Sequence, residues 1–209
     1  MAAEQAQETS GANAVSGAEQ TRERIIQAAY TIFGNKGYAA ATTRAIAAEA
    51  GVNEVTLFRH FGNKKNLFSA MIDEFYAFAG LNDITPRLLS GDYRQDLNMI
   101  GWRIVAVLKE RKQIYRLLLS EVEAESEVRE TMVTLPRRVR QMLAQYFEYQ
   151  NAQGKMRPVH PEIAAQAFMS MFMAFVTYDT IFGESPIPDI SDEEIIAQFV
   201  DIFVVGTAR

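Results

Sequence analysis

Between Thr42 and Lys64 the chain gathers side chains suited to reading a nucleic acid. Arg59 carries a planar guanidinium fork that can donate to guanine O6 and N7 together, Glu54 can accept from cytosine N4, and Val55 can touch a thymine methyl. Asn53 stands at the head of that group. Thr42, Thr43 and Arg44 lie at the start of the preceding segment, where the unpaired N–H groups and the dipole of a helix amino terminus favour a phosphate. Two residues of the group have plainer uses, Glu54 as an acid in the first turn of a helix and His60 as a packed imidazole. Catalysis has few tools by comparison. The chain has no cysteine and only two histidines, His60 and His160. Neither stands in a zinc-hydrolase, serine-hydrolase or phosphate-loop pattern, so no catalytic residue, metal or cofactor is expected. The alternation Glu121, Glu123, Glu125, Glu127 has no aspartate or histidine close in sequence and reads as a solvated turn, not a cation site.

These residues need rigid elements to aim them, and the apolar pattern supplies helices. After residue 20 apolar residues recur at helical spacing, with no period-2 segment and no internal repeat, so the expected fold is all-α with about nine helices. Ile25, Ala28, Ala29, Ile32 and Phe33 form one stripe of a first helix that stops at Gly37. Thr42 or Thr43 caps a second helix running to Ala50, and Asn53 caps a short third one ending near Phe61. Gly62 then breaks the chain, and Asn63 caps a fourth helix bearing Leu67, Phe68, Met71 and Ile72. Five longer helices are predicted over Tyr93 to Lys109, Gln113 to Val122, Val128 to Gln153, Glu162 to Phe182 and Asp192 to Thr207. The break before them spans Gly80 to Gly91.

With 209 residues, 48% hydrophobic and 22% charged, the chain can bury a sizeable core. Its net charge of -5 argues against a nucleic-acid binder when taken alone, yet the charges are unevenly placed. Gln20 to Lys65 holds seven basic and three acidic residues, net +4, whereas Asn66 to Arg209 holds 14 basic and 20 acidic, net -6. A basic amino-terminal segment on an acidic body reads as a polyanion-facing module carried by a domain that avoids polyanions. Residues 1–19 are too poor in apolar surface to offset the entropy of ordering and are expected to form a disordered tail. They lack the basic and apolar regions of a secretory signal. The most apolar run, Ala167 to Val176, is about half of the roughly 20 residues a membrane span needs. A soluble, cytoplasmic protein with no membrane partner is expected, and the absence of cysteine fits a reducing compartment.

The short helices carry a tighter signature. Ile46 and Ala50 supply an inner face, Ala47 is small where a second helix must cross, Gly51 permits a tight turn, Val52 plugs it, and Leu57 anchors the next helix from the other side. That is the pattern of a helix-turn-helix. The stretch from Thr21 to Ile72 resembles the DNA-binding domain of the TetR family of transcriptional regulators. The resemblance rests on Phe33, Gly37 and Tyr38, the Thr42–Thr43 pair, Ile46–Ala47, Ala50–Gly51–Val52, and Leu57, Phe58, His60, Phe61 and Lys64, all in order and at the family's spacing. It implies that the helix from Glu54 to Phe61 lies in the major groove and that Thr56, His60 and Lys64 clamp the DNA backbone. Phe58 departs from the commoner pattern, in which a tyrosine hydroxyl bonds a phosphate, so that contact is lost.

The resemblance further implies a helix-turn-helix domain over 20–65 and a helical ligand-binding and dimerisation domain over 66–209. Phe168, Phe172, Phe175, Ile195, Phe199, Ile202 and Phe203 make the last two helices apolar around their circumference, as a four-helix dimer interface requires, although ordinary core accounts for the same pattern. Met99, Trp102, Tyr115, Tyr146, Met171, Phe172 and Phe175 are candidates to line a ligand cavity, with Gly101 leaving room beside Trp102 and Asp179 orienting a polar end of the ligand. Plain core is again the alternative. The expected function is a homodimeric repressor that binds a pseudo-palindromic operator and is released by a small apolar or amphipathic effector. A helical adaptor that no longer reads DNA is the rival, and Arg59, Lys64 and the local positive charge weigh against it.

Overall fold

In the computed structural model the backbone is described for residues 2–78 and 91–209, and side chains for 17–74, 91–134 and 136–209. Most of the expected tail, residues 1–19, and nearly all of the expected break from Gly80 to Gly91 fall outside the described side chains. Among the described residues there are nine helices and no strand. They are α1 (Ala2–Ala40), α2 (Thr43–Glu49), α3 (Glu54–Phe61), α4 (Lys64–Phe78), α5 (Tyr93–Glu110), α6 (Lys112–Glu121), α7 (Ser126–Ala152), α8 (Pro161–Phe182) and α9 (Asp192–Thr207). The fold is all-α, as the apolar spacing predicts. Contacts divide the chain into Met1–Ile72 and Asp73–Arg209, a division that falls within α4.

The amino-terminal unit is built on a cluster of three rings. The expected stop at Gly37 is a break inside α1, where φ of 80° and ψ of 168° suit a residue without Cβ and redirect the chain. Beyond it Tyr38 stacks on Phe33 at 5.6 Å, and Phe68 of α4 meets both rings edge-on at 5.1 and 4.9 Å. Ile25 and Ala29 of α1, Ile46 and Ala47 of α2, and Leu57 and Phe61 of α3 complete the buried interior.

In the carboxy-terminal unit α7 packs along α8, while α5 lies against α8 and α9. Leu97, Ile100 and Ile104 of α5, Leu143 and Phe147 of α7, Phe168 and Val176 of α8, and Ile196 and Val200 of α9 are buried together. Polar pairs interrupt this core. The Tyr146 hydroxyl donates to the Asp96 carboxylate at 3.2 Å, and the Tyr93 and Tyr115 hydroxyls pair with those of Thr207 and Thr177 at 2.9 and 2.6 Å. Burial pushes the Tyr93 phenol up to about 12. Burial, aided by the adjacent Asp96 carboxylate, pushes that of Tyr146 up as well, so both phenols stay protonated at every physiological pH.

Two expectations for this unit are corrected. Phe168, Phe172, Phe175, Ile195 and Phe203, assigned to a dimer interface, are buried in the chain's own core, and Phe199 packs half-buried against it. Ile202 alone of that set is turned outward, 63% exposed. The large apolar residues that remain uncovered on the two helices are Ile163, Tyr178, Ile181 and Phe182 of α8 and Ile202 and Val205 of α9. The room expected beside Gly101 is filled. A Cβ placed on Gly101 meets Cζ of Phe172 at 2.7 Å and Cγ2 of Ile196 at 3.2 Å, so the missing side chain lets a phenyl ring lie against the α5 backbone. Trp102, the neighbour expected to line a cavity, is 42% exposed.

Gly101→Ala tests this closure. The ring of Phe172 is fully buried and packs against Phe168 and Phe199, so yielding to a new methyl group disturbs those contacts too. Despite alanine's better helix propensity, the substitution is expected to cost about 1 to 3 kcal/mol through overpacking. A lowered thermal midpoint at unchanged helicity is the expected reading, and an unchanged or raised midpoint means that the ring moves freely.

Candidate nucleic-acid interface

The eight residues of α3 are held at both ends. Asn53 Oδ1 accepts from the Thr56 N–H at 2.7 Å and from the Thr56 hydroxyl at 2.8 Å, which closes the amino-terminal turn. At the other end Gly62, with φ of 77°, donates its N–H to the Phe58 carbonyl at 2.8 Å. Leu57 and Phe61 are buried, the Arg22 guanidinium lies 5.7 Å above the Phe61 ring, and the opposite side of the helix is left to solvent. That open side presents Val55, 77% exposed, Phe58, 43% exposed, and Arg59, at the i, i+3, i+4 spacing of a single helical face. Arg59 and the exposed Arg44 of α2 form no ion pair among the described residues.

The turn leading into α3 depends on one glycine. Gly51 has φ of 66° and donates to the Ala48 carbonyl at 3.1 Å, after which the Val52 N–H reaches the Ala47 carbonyl at 3.0 Å. Thr42 caps α2 by accepting from the Ala45 N–H at 3.1 Å, and Asn63 caps α4 by accepting from Asn66 at 2.7 Å. Thr42, Asn53 and Asn63 therefore use their side chains locally. As contacts to DNA, Thr42 and Asn53 keep only the donors and lone pairs that the caps leave over.

Three other expected contact residues are engaged in ways their spacing does not reveal. Lys64 places its ammonium 4.4 Å from the centre of the Tyr38 ring and 3.4 Å from the Ala39 carbonyl, fixing the start of α4 against the end of α1. His60 is half-buried, and its Nε2 is enclosed without a hydrogen-bond partner, so a backbone contact from this ring falls to Nδ1. Thr43 donates its hydroxyl proton to Glu54 Oε1 at 2.5 Å, joining the first residues of α2 and α3. No pattern in the sequence marks that pair, because the residues are eleven apart and belong to different helices.

Of the eight residues assigned to ligand binding, Tyr115, Tyr146, Phe172 and Phe175 lie in the carboxy-terminal core, Met99 and Met171 pack half-buried against it, and Trp102 is exposed. Asp179 pairs with Lys112 at 3.2 Å, which supplies the partner that a shielded carboxylate needs. Among the described residues no group of three or more His, Asp or Glu side chains is placed to hold a metal ion, and no helix is long and apolar enough to cross a membrane.

Asn53→Ala removes the acceptor that closes the first turn of α3. It is expected to destabilise the amino-terminal unit by about 1 kcal/mol. Thermal unfolding followed by circular dichroism measures the loss, and Asn53→Asp, which keeps an acceptor, should retain most of the stability.

Comparison with known proteins matches this geometry. Residues 25–71 match the family described as bacterial regulatory proteins, tetR family, and residues 95–206 match the AefR-like transcriptional repressor carboxy-terminal domain. An uncharacterized HTH-type transcriptional regulator of Bacillus subtilis, YvkB, is 28% identical over 186 residues, covering 89% of this chain and 96% of its own. Among solved structures, NalD of Pseudomonas aeruginosa, the secondary repressor of the MexAB-OprM multidrug efflux pump, aligns with a TM-score of 0.64 at 23% identity over 92% of this chain and 98% of its own. A TetR family regulator from Pseudomonas syringae aligns with a TM-score of 0.67 at 22% identity over 90% and 97%. With a helix-turn-helix unit and a carboxy-terminal unit that both match, the chain belongs to the TetR family of bacterial transcriptional regulators, which are not enzymes.

Proposed function

We propose that the chain is a cytoplasmic homodimeric repressor that binds a pseudo-palindromic operator, reads each half-site with α3, and releases it when a small apolar or amphipathic ligand enters its carboxy-terminal helices. The observation that carries this reading is the open face of Val55, Phe58 and Arg59 on a helix whose opposite side is buried. Arg59 takes a guanine, Val55 lies against a thymine methyl, and Phe58 packs on sugar without adding a phosphate bond. Lys64 contributes a positive charge beside the groove, and Arg44, Thr56 and the free nitrogen of His60 are placed to meet the backbone.

An eight-residue helix spans too few base pairs to be specific in a genome, so two copies are required. The second copy docks on the uncovered side of α8 and α9, where Ile163, Tyr178, Ile181, Ile202 and Val205 leave apolar surface in water. Half-site centres then lie roughly 34 to 36 Å apart or somewhat more. Ligand entry has to move Phe172 off Gly101, since the ring occupies the space a ligand would take. The lone tryptophan, Trp102, adjoins that contact and reports it by fluorescence.

A footprint of the full chain on its own upstream DNA should show inverted symmetry, and protection without such symmetry would rule out the dimeric reading. Arg59→Ala should relax preference at one base pair per half-site at a cost of about 1 to 3 kcal/mol, while Lys64→Ala weakens all sequences alike and lowers the salt dependence by about one unit per subunit. If both merely lower affinity, Arg59 is a phosphate contact.

The dimer face has its own test. Ile202→Asp leaves the core intact and should give folded monomers by sedimentation, whereas Phe172→Asp buries an unpaired charge and should unfold the carboxy-terminal unit. Intact dimers from Ile202→Asp would move the interface off this face.

A further inference from the structure

We infer that Thr43 and Glu54 form one base-reading unit that selects a cytosine at a fixed position of each half-site, with Glu54 as the reader and Thr43 as the positioning residue. The inference rests on the operator-binding reading above and goes beyond it, because it removes Thr43 from the phosphate contacts and makes it responsible for a base preference.

A hydroxyl has one proton to give, and that of Thr43 goes to Glu54 Oε1 at 2.5 Å. It is therefore not free to donate to a phosphate. The same bond fixes the Glu54 carboxylate, a side chain that otherwise has three rotatable bonds, against a residue on another helix. Both side chains are half-buried, so the bond is partly shielded from water. Oε2 is left without a partner among the described residues. One turn along the same side of α3 stands Phe58, whose ring has no proton to offer it.

A single fixed carboxylate oxygen is acceptor-only, and the major-groove edges respond to it differently. Guanine O6 and N7 and thymine O4 are acceptors and repel it. Adenine offers N6–H2, yet its N7 lone pair lies beside that donor. Cytosine offers N4–H2 next to C5–H, with no lone pair on its own groove edge, and is the base best satisfied by one oxygen approaching from that side. The negative charge also raises the cost of every other arrangement, since an unmatched carboxylate near phosphates is repelled without compensation. Glu54 thus works by exclusion as much as by attraction.

The test is selection from a randomised duplex DNA library by the full-length chain and by the Thr43→Val, Thr43→Ser and Glu54→Gln variants, each checked by thermal unfolding. Wild type should enrich cytosine at one position per half-site. Thr43→Val should keep the rest of the motif while the cytosine preference falls on the order of tenfold, and Thr43→Ser should restore it. Glu54→Gln, which can donate as well as accept, should shift the same position towards adenine. If Thr43→Val fails to fold, Glu54→Asp breaks the bond from the other side and should produce the same loss. A cytosine preference that survives Thr43→Val, or a base preference untouched by Glu54→Gln, overturns the inference while leaving operator binding intact. Selection of no motif by the wild type overturns the operator reading as well.

Discussion

An eight-residue helix has no stability of its own in water, where isolated helices become marginal only at about 12 to 15 residues. The helix proposed to read DNA, α3, is of that length, and several features of the amino-terminal unit answer that constraint. Asn53 closes one end, Gly62 closes the other, and Leu57 and Phe61 anchor the inner side in the core. Glu54 places its charge in the first turn, where the dipole favours it, and is tied to α2 by Thr43. Because the helix is held from behind and at its ends, the outward side is free to carry Val55 and Phe58, apolar residues that leave much of their surface in water.

Charge completes that arrangement. A segment of net +4 on a body of net -6 confines the attraction for a polyanion to one end of the chain. The basic side chains are not simply loose, however. Lys64 rests on Tyr38 and Arg22 on Phe61, so part of the positive potential is fixed against aromatic faces. On the operator-binding reading, a cation held in place loses less freedom on meeting a phosphate than a solvated lysine does, which offsets some of what the absence of a hydroxyl on Phe58 removes.

Helix existence and type are legible in the sequence because their signals are local. Thr42, Asn53 and Asn63 are caps by residue type and by the apolar helical stretch directly after each, and Gly37, Gly51 and Gly62 stand where the chain must take positive φ. Even α7 is readable through Pro136, since apolar periodicity on both sides outweighs one missing N–H. Contacts between helices resist such reading. The Thr43 to Glu54 bond, the burial of His60 Nε2 and the Phe172 ring over Gly101 depend on how elements cross, and spacing along one helix carries no record of that. The aromatic residues of α8 and α9 mislead for a related reason. An apolar side chain on a helix is the same residue whether its neighbour belongs to its own chain or to a second copy, and here the large phenylalanines serve the former.

The two sides of α8 consequently have different surroundings. Inward, Phe168, Phe172 and Phe175 interlock with α5 and α9, and Phe172 is seated in the gap that Gly101 leaves. Outward, Ile163, Tyr178 and Ile181 are uncovered on the same rigid rod. A close-packed interior does not deform continuously, so displacing Phe172, which packs against Phe168 and Phe199, means either a new rotamer or a shift of α8 relative to α5. The second route moves the outer face with the inner one. In a dimer built on that face, a ligand that binds only the shifted arrangement therefore changes the docking of the two copies. A hundredfold loss of operator affinity requires a preference of only about 2.7 kcal/mol for that arrangement. On the proposed reading of a ligand-released dimer, the close approach of the Phe172 ring to Gly101 makes the α5–α8 contact the candidate for coupling ligand, dimer and DNA spacing.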